Sequence, residues 1–120
     1  MKACIDSDVL IDYFDGIPQA AEELGRYDLV MISRISWMEV LIGVDDESRT
    51  IRETFLRHFT MVELDEAVGH EAIRLRKRHR LKLPDAIVWA SARLNDGLLV
   101  TRNSKDFPAT DPSIRIPYRL

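Results

Sequence analysis

The sequence predicts an α/β fold built on a mainly parallel sheet of four to five strands. Short, continuous apolar runs recur at 2–5, 28–33 and 98–101, the form taken by strands whose two faces are both covered. Longer segments with helical periodicity, each bounded by cap and stop residues, separate these runs. Strands alternating with helices favour parallel pairing through crossover connections. At 120 residues the chain suits one domain with one core, and no internal repeat, low-complexity tract or linker suggests a second module over 1–120.

The first strand is read at Lys2 to Ile5, followed by a helix that Ser7 can cap and whose apolar residues are Val9, Leu10, Tyr13 and Phe14. Asp12 and Asp15 are expected to keep the outside of that helix wet. Gly16-Ile17-Pro18 ends it, and Pro18 opens a second helix that runs to about Gly25. The segment 28–33, "DLVMIS", is the second strand. "SWMEVLIG" then reads as a helix, with Ser36 and Glu39 in capping-box spacing and Gly43 as its stop. Asp45, Asp46 and Glu47 open another helix to about His58, the charge sign that a helix N-terminus favours. The run 60–64, "TMVEL", is a strand, and a helix from Glu66 to about Arg80 turns basic at its end. Pro84 and Asp85 begin an apolar helix that closes at Asn95 and Gly97, before strands at 98–101 and 114–116.

Composition narrows the function. The 46% hydrophobic and 31% charged content fits a soluble globular chain, and no apolar stretch approaches the roughly 20 residues needed to cross a bilayer. Met1-Lys2-Ala3 leads into a strand with no signal-peptide core, so the expected compartment is the cytoplasm, with no membrane partner. The single Cys4 has no intrachain disulfide partner and reads as a small buried side chain. A net charge of −3 argues against coating nucleic acid by general phosphate neutralisation. It leaves open an acidic pocket that meets phosphate through bound cations.

In open α/β sheets, ligands sit beyond the carboxyl ends of strands where the strand order reverses. Asp6 falls at such an end. Glu39 lies in the helix after the second strand, Asp85 at the start of a helix and Asp106 beyond strand 98–101, so one crevice could collect all four. Each also has an ordinary structural explanation: a strand end and helix cap for Asp6, a capping box for Glu39, a dipole complement for Asp85 and turn chemistry for Asp106. Taken together, carboxylates converging in a partly dry cleft repel one another unless a cation joins them. Hard oxygen ligands suit Mg²⁺, with Mn²⁺ as a substitute, and the chemistry such a site supports is phosphodiester hydrolysis.

Other site types find less support. His58, His70 and His79 show no metal-ligand spacing, and there is no GxxxxGK[ST], GxGxxG or GxSxG motif. Trp37 and Trp89 lie in apolar helical segments and are expected in the core. The run "RLRKRHRLK", 74–82, reads as a solvated helix end, with a nucleic-acid backbone as its alternative partner.

The ordered segments "CIDSDVLIDYF", "SWMEVLIG" and "LKLPDAIVWASARLNDGLLVTRNSKDFP" resemble the PIN-domain family, and closely its VapC-type toxins of bacterial toxin–antitoxin pairs. The similarity spans Ala3 to Pro108. It implies a three-layer α/β/α sandwich and a metal-dependent endoribonuclease acting on RNA, held inactive by a cognate antitoxin and often assembled as a homodimer. Asp6 and Asp85 match the acids most central to Mg²⁺ binding, while Glu39 and Asp106 match the other two site acids. Ser7 and Thr101 match small hydroxylic positions that orient a carboxylate or water. Two positions depart from the pattern. Asp8 stands where relatives frequently have Asn, and Asn103 where some have another acid, so the resemblance implies one Mg²⁺ here. "DSDVL" also resembles the nucleophile motif of HAD-type phosphatases, although that motif expects Thr near Val9 or Leu10. A catalytically silent module that only binds RNA or antitoxin is the remaining alternative.

Overall fold

The computed structural model describes residues 1–120. Its elements are β1 (Lys2–Ile5), α1 (Ser7–Phe14), α2 (Pro18–Leu24), β2 (Leu29–Ser33), α3 (Arg34–Ile42), α4 (Asp46–Leu56), β3 (Thr60–Val62), α5 (Glu66–His79), α6 (Leu83–Leu94), β4 (Leu98–Val100) and β5 (Ile114–Arg115). All four strand pairings are parallel, and the strands lie in the order β3-β2-β1-β4-β5. The chain builds outward from β1 in one direction through β2 and β3, then crosses back to lay β4 and β5 on the other side. The strand order therefore reverses between β1 and β4.

Side-chain alternation along the central strands divides the core into two layers. Cys4, Met31 and Leu99 point to one face, where they pack with Val68, Ala72 and Leu75 of α5 and with the α6 run Ala86–Ala90. Ala3, Ile5, Ile32 and Val100 point to the other, against Val9 and Leu10 of α1, Ala20 of α2, Val40 and Leu41 of α3, and Leu56 of α4. Covering on both faces is why these strands are continuously apolar. The result is the three-layer α/β/α sandwich. Trp89 is fully buried and donates its indole N–H to Ser113 Oγ at 3.1 Å, so its one polar atom is satisfied. Cys4 is a buried free thiol, and burial pushes it up to about 12, which keeps it protonated and inert.

Four expectations need correction. Asp6, and not Ser7, caps α1: the Asp6 Oδ1 accepts from Ser7 N at 2.8 Å, and Ser7 is already helical. Ser36 and Glu39 do not form a capping box. Ser33, the last residue of β2, already supplies the capping hydroxyl to Ile35 N at 3.3 Å, so α3 begins at Arg34 and Ser36 is buried inside it. Asp12 does not face water. It is 6% exposed, because Arg102 and Tyr118 reach it from the far end of the chain. Trp37 sits only partly in the core, its ring covered by the Arg34 guanidinium at 4.6 Å.

The edge strand β5 is held by side chains as well as by its two-residue ladder. Arg115 forms a forked pair with Glu23 on α2, at 2.7 and 3.0 Å, and Tyr27 also donates to Glu23. Burial pushes the Glu23 carboxyl up, but the Arg115 and Tyr27 hydrogen bonds outweigh it and hold the group below its ordinary value. No helix of the structure is long and apolar enough to cross a membrane.

Candidate metal centre

The crevice at the carboxyl ends of β1 and β4 is built by the strand pairing itself. Asp6 N donates to Val100 O at 2.9 Å, extending the β1–β4 ladder by one step and placing Asp6 beside Thr101. Both are buried, Asp6 to 7% exposure and Thr101 completely. The Thr101 hydroxyl donates to Asp6 Oδ2 at 2.8 Å and accepts from Asn103 N at 3.1 Å. Ser7 N holds the other oxygen, so both oxygens of the Asp6 carboxylate are fixed in place. This hydroxyl also lies 3.3 Å from Asp8 Oδ2, but its single proton serves the closer Asp6 contact. Asp8 Oδ2 is left with Arg102 N at 3.1 Å, and Asp8 Oδ1 is buried without any hydrogen-bond partner.

The remaining acids arrive from separate elements. Asp85 stands in the first turn of α6, half-buried. Asp106 is clamped by Asn103 through a reciprocal pair, Nδ2 to Asp106 Oδ2 at 3.0 Å and Asp106 N to Asn103 Oδ1 at 3.2 Å. Glu39 is exposed on α3. Electrostatics show which of them share the crevice. Burial, and then the charges of Asp8 and Asp85, raise Asp6 to about 7 against the opposing Thr101 and Ser7 hydrogen bonds. Asp8 is raised mainly by burial. Asp85 is raised by burial and by the charges of Asp106, Glu39 and Asp8, with Lys82 opposing. Asp6, Glu39 and Asp106 are thus each within electrostatic reach of Asp85, together with Asp8. They do not close into a ready-made cluster, since no three His, Cys, Asp or Glu side chains are grouped to hold one metal ion.

The donor set nevertheless fits a hard divalent cation. It offers only oxygens, it carries more negative charge than its surroundings stabilise, and Asp8 Oδ1 is a buried acceptor with nothing to accept. Mg²⁺ typically takes one or two carboxylates and keeps several waters, so a three-ligand cage is not needed.

Sequence reasoning missed the brace behind this crevice. Arg102 pairs with Asp12 in a forked contact at 2.5 and 3.1 Å while its backbone N–H holds Asp8, and Tyr118 donates to Asp12 at 2.7 Å. The only signal was the i, i+4 spacing of Asp8 and Asp12, which puts both on one side of α1. The histidines take no part. His58 and His70 are exposed, and His79 packs on Trp89 with ring centroids 4.8 Å apart.

Comparison with known proteins agrees with this architecture. The PIN domain family model matches residues 3–111. A chain of a toxin–antitoxin complex from Klebsiella pneumoniae is 36% identical, with a TM-score of 0.91 over 98% of this chain and 99% of that one. FitAcB from Neisseria gonorrhoeae superposes with a TM-score of 0.76 at 18% identity, covering 100% of both chains. VapBC2 from Rickettsia felis, solved with a DNA fragment from its promoter, gives 0.74 at 18% identity over 95% and 96%. At those identities the last two show the fold alone. No curated protein gives a significant match. With the family model matching residues 3–111 and a 36% identical chain superposing over nearly the full length, the chain belongs to the PIN domain family.

Proposed function

We propose that this chain is a Mg²⁺-dependent endoribonuclease acting in the cytoplasm as the toxin of a toxin–antitoxin pair, controlled by a cognate antitoxin and working as a homodimer. The observation that carries the reading is the destabilised acid pocket. Asp6, Asp8 and Asp85 sit at the strand-order reversal, are driven toward protonation by burial and by neighbouring acids, and leave Asp8 Oδ1 unpaired. The toxin and antitoxin assignments rest on the 36% identical chain of a toxin–antitoxin complex, and RNA as substrate rests on the family resemblance.

In this reading Asp6 and Asp85 hold the cation, which when bound polarises the scissile phosphate and activates water. Thr101 and Ser7 N fix the Asp6 carboxylate so that its oxygens need no reorientation on loading. Glu39 and Asp106 shape the rim and orient the attacking water, and Asn103 keeps Asp106 in place. Asp8, held by Arg102 N, adds negative charge beside the cation.

The test incubates purified protein with single-stranded RNA in Mg²⁺ or in excess chelator. Cleavage is expected only with the metal and is expected to be restored by Mn²⁺. Equal cleavage in chelator removes the proposal. Turnover of a simple phosphomonoester with a trapped aspartyl-phosphate would instead support the phosphatase reading. Undiminished toxicity of an inactive variant would support a silent binding module.

A further inference from the structure

Most guanidinium groups in this structure are paired: Arg34 with Glu63, Arg49 with Glu53, Arg74 and Arg93 with Glu71, Arg102 with Asp12, and Arg115 with Glu23. Between Arg76 and Lys82 the pattern breaks. Arg76, Lys77, Arg78, Arg80 and Lys82 are all exposed, and none forms an ion pair or a side-chain hydrogen bond. The chain carries a net charge of −3, so five unpaired cations within seven residues are a marked local excess.

A helix end explains only part of this. Cations in the last turn of α5 complement its dipole, but that effect fades beyond the turn, and Arg80 and Lys82 lie past it. Arg80 moreover adopts left-handed backbone, φ 56° and ψ 38°, where glycine would be unstrained.

The position of the excess gives it a use. The α5 and α6 helices pack antiparallel: Glu71 on α5 bonds to Arg93 near the end of α6, and His79 near the end of α5 packs on Trp89. The last turn of α5 therefore adjoins the first turn of α6, which carries Asp85. The Lys82 charge is felt at Asp85 itself. On the last turn of α5, Arg76, Lys77 and Arg80 fall within one arc of the helix, whereas Arg78 turns toward Arg74, Arg93 and Asp111, so a basic track runs through Arg76, Lys77 and Arg80 and on by Lys82 to the rim of the acid crevice. A polyanion entering a crevice lined by carboxylates is repelled unless cations hold the strand on either side of the reacting phosphate. An acidic peptide would gain the same attraction from the track but nothing from the crevice beyond it.

We propose that Arg76, Lys77 and Arg80 form a sequence-independent binding track for the sugar-phosphate backbone of single-stranded RNA, with Lys82 carrying it to the crevice. The inference rests on the endoribonuclease reading for what happens at its end, but it is tested by binding. The probe is a labelled single-stranded RNA oligonucleotide, titrated over a range of salt against the Asp85→Asn protein with and without Arg76→Gln/Lys77→Gln/Arg80→Gln. Each lost phosphate contact on a single strand reduces the slope of log K against log salt by about 0.7, so the triple variant is expected to lose roughly 2 from that slope and about tenfold in affinity. Lys2→Gln/Arg57→Gln, which removes unpaired charge at the opposite end of the sheet, is expected to change neither. In the otherwise native protein the triple variant is expected to raise KM with kcat unchanged. Should the triple variant be unstable, Lys77→Gln/Arg80→Gly, which also relieves the left-handed residue, is expected to lose roughly 1.4 from the slope. An unchanged slope and affinity in a folded variant overturn the track. So does loss of binding to an acidic peptide with RNA binding intact, which would assign the surface to a protein partner. If RNA is bound through the track but never cleaved in Mg²⁺, the endoribonuclease reading fails and the track stands.

Discussion

Asp85→Asn is expected to abolish metal-dependent cleavage, by on the order of 10³-fold, while leaving the protein folded. The loss corresponds to the several kcal/mol of charge stabilisation that a catalytic cation supplies. Folding should survive because Asp85 makes no hydrogen bond that Asn would break, and its ionised form is opposed by burial and by Asp106, Glu39 and Asp8. The neutral amide relieves that repulsion. In chelator the variant is therefore expected to melt at or above the wild-type temperature. Inactivity together with a lowered melting temperature would point to misfolding instead.

The same electrostatics set a pH dependence for the metal-free wild type. Asp6 is raised from 3.8 to about 7, so between these values the folded state binds its proton and the unfolded state does not. Metal-free stability is then expected to fall as pH rises from about 4 to about 7, by on the order of 2–4 kcal/mol from this group. Mg²⁺ should offset the loss, because a bound cation takes the place of the proton. Thermal melts with and without Mg²⁺ across this range check both signs.

Asp12→Ala has the second large expected effect, and it acts on stability first. Removing one partner of a buried ion pair strands the other. The usual cost is about 3–5 kcal/mol, and the partial exposure of Arg102, 29% for its side chain, brings the expected loss to roughly 2–3 kcal/mol. Activity should fall too, by roughly tenfold, because freeing Arg102 loosens the backbone that holds Asp8 and carries Thr101. Tyr118→Phe removes only one hydrogen bond to Asp12 and should cost about 1 kcal/mol. A denaturant melt of both variants, paired with a cleavage assay, separates this brace from a bystander ion pair, which would leave activity untouched.

The contrast between Asp6 and Asp12 shows where the sequence is legible. The β1 strand is readable at its observed bounds because both its faces are buried, leaving an uninterrupted apolar run that ends where the crevice begins. The positions of Asp6 and Asp85 are readable because one directly follows β1 and the other lies in the first turn of α6, whereas Glu39 sits inside α3 and Asp106 six residues past β4, without local punctuation of their own. Asp12 is not, since its burial depends on Arg102 and Tyr118, 90 and 106 residues away, and nothing local records them. Ser36 fails for a different reason. S-x-x-E spacing is a real capping signal, but Ser33 lies three residues earlier at the end of β2 and caps α3 first. The basic run 74–82 was visible as charge. That its end faces Asp85 became visible only once α5 and α6 were seen to pack antiparallel.

The account depends most on Asp6 and Asp85 sharing one divalent ion, and anomalous diffraction from crystals grown with Mn²⁺ tests that most directly. An anomalous peak between the Asp6 and Asp85 carboxylates is the expected result. Strong Mn²⁺ peaks elsewhere on the molecule, with none between these two acids, would contradict it.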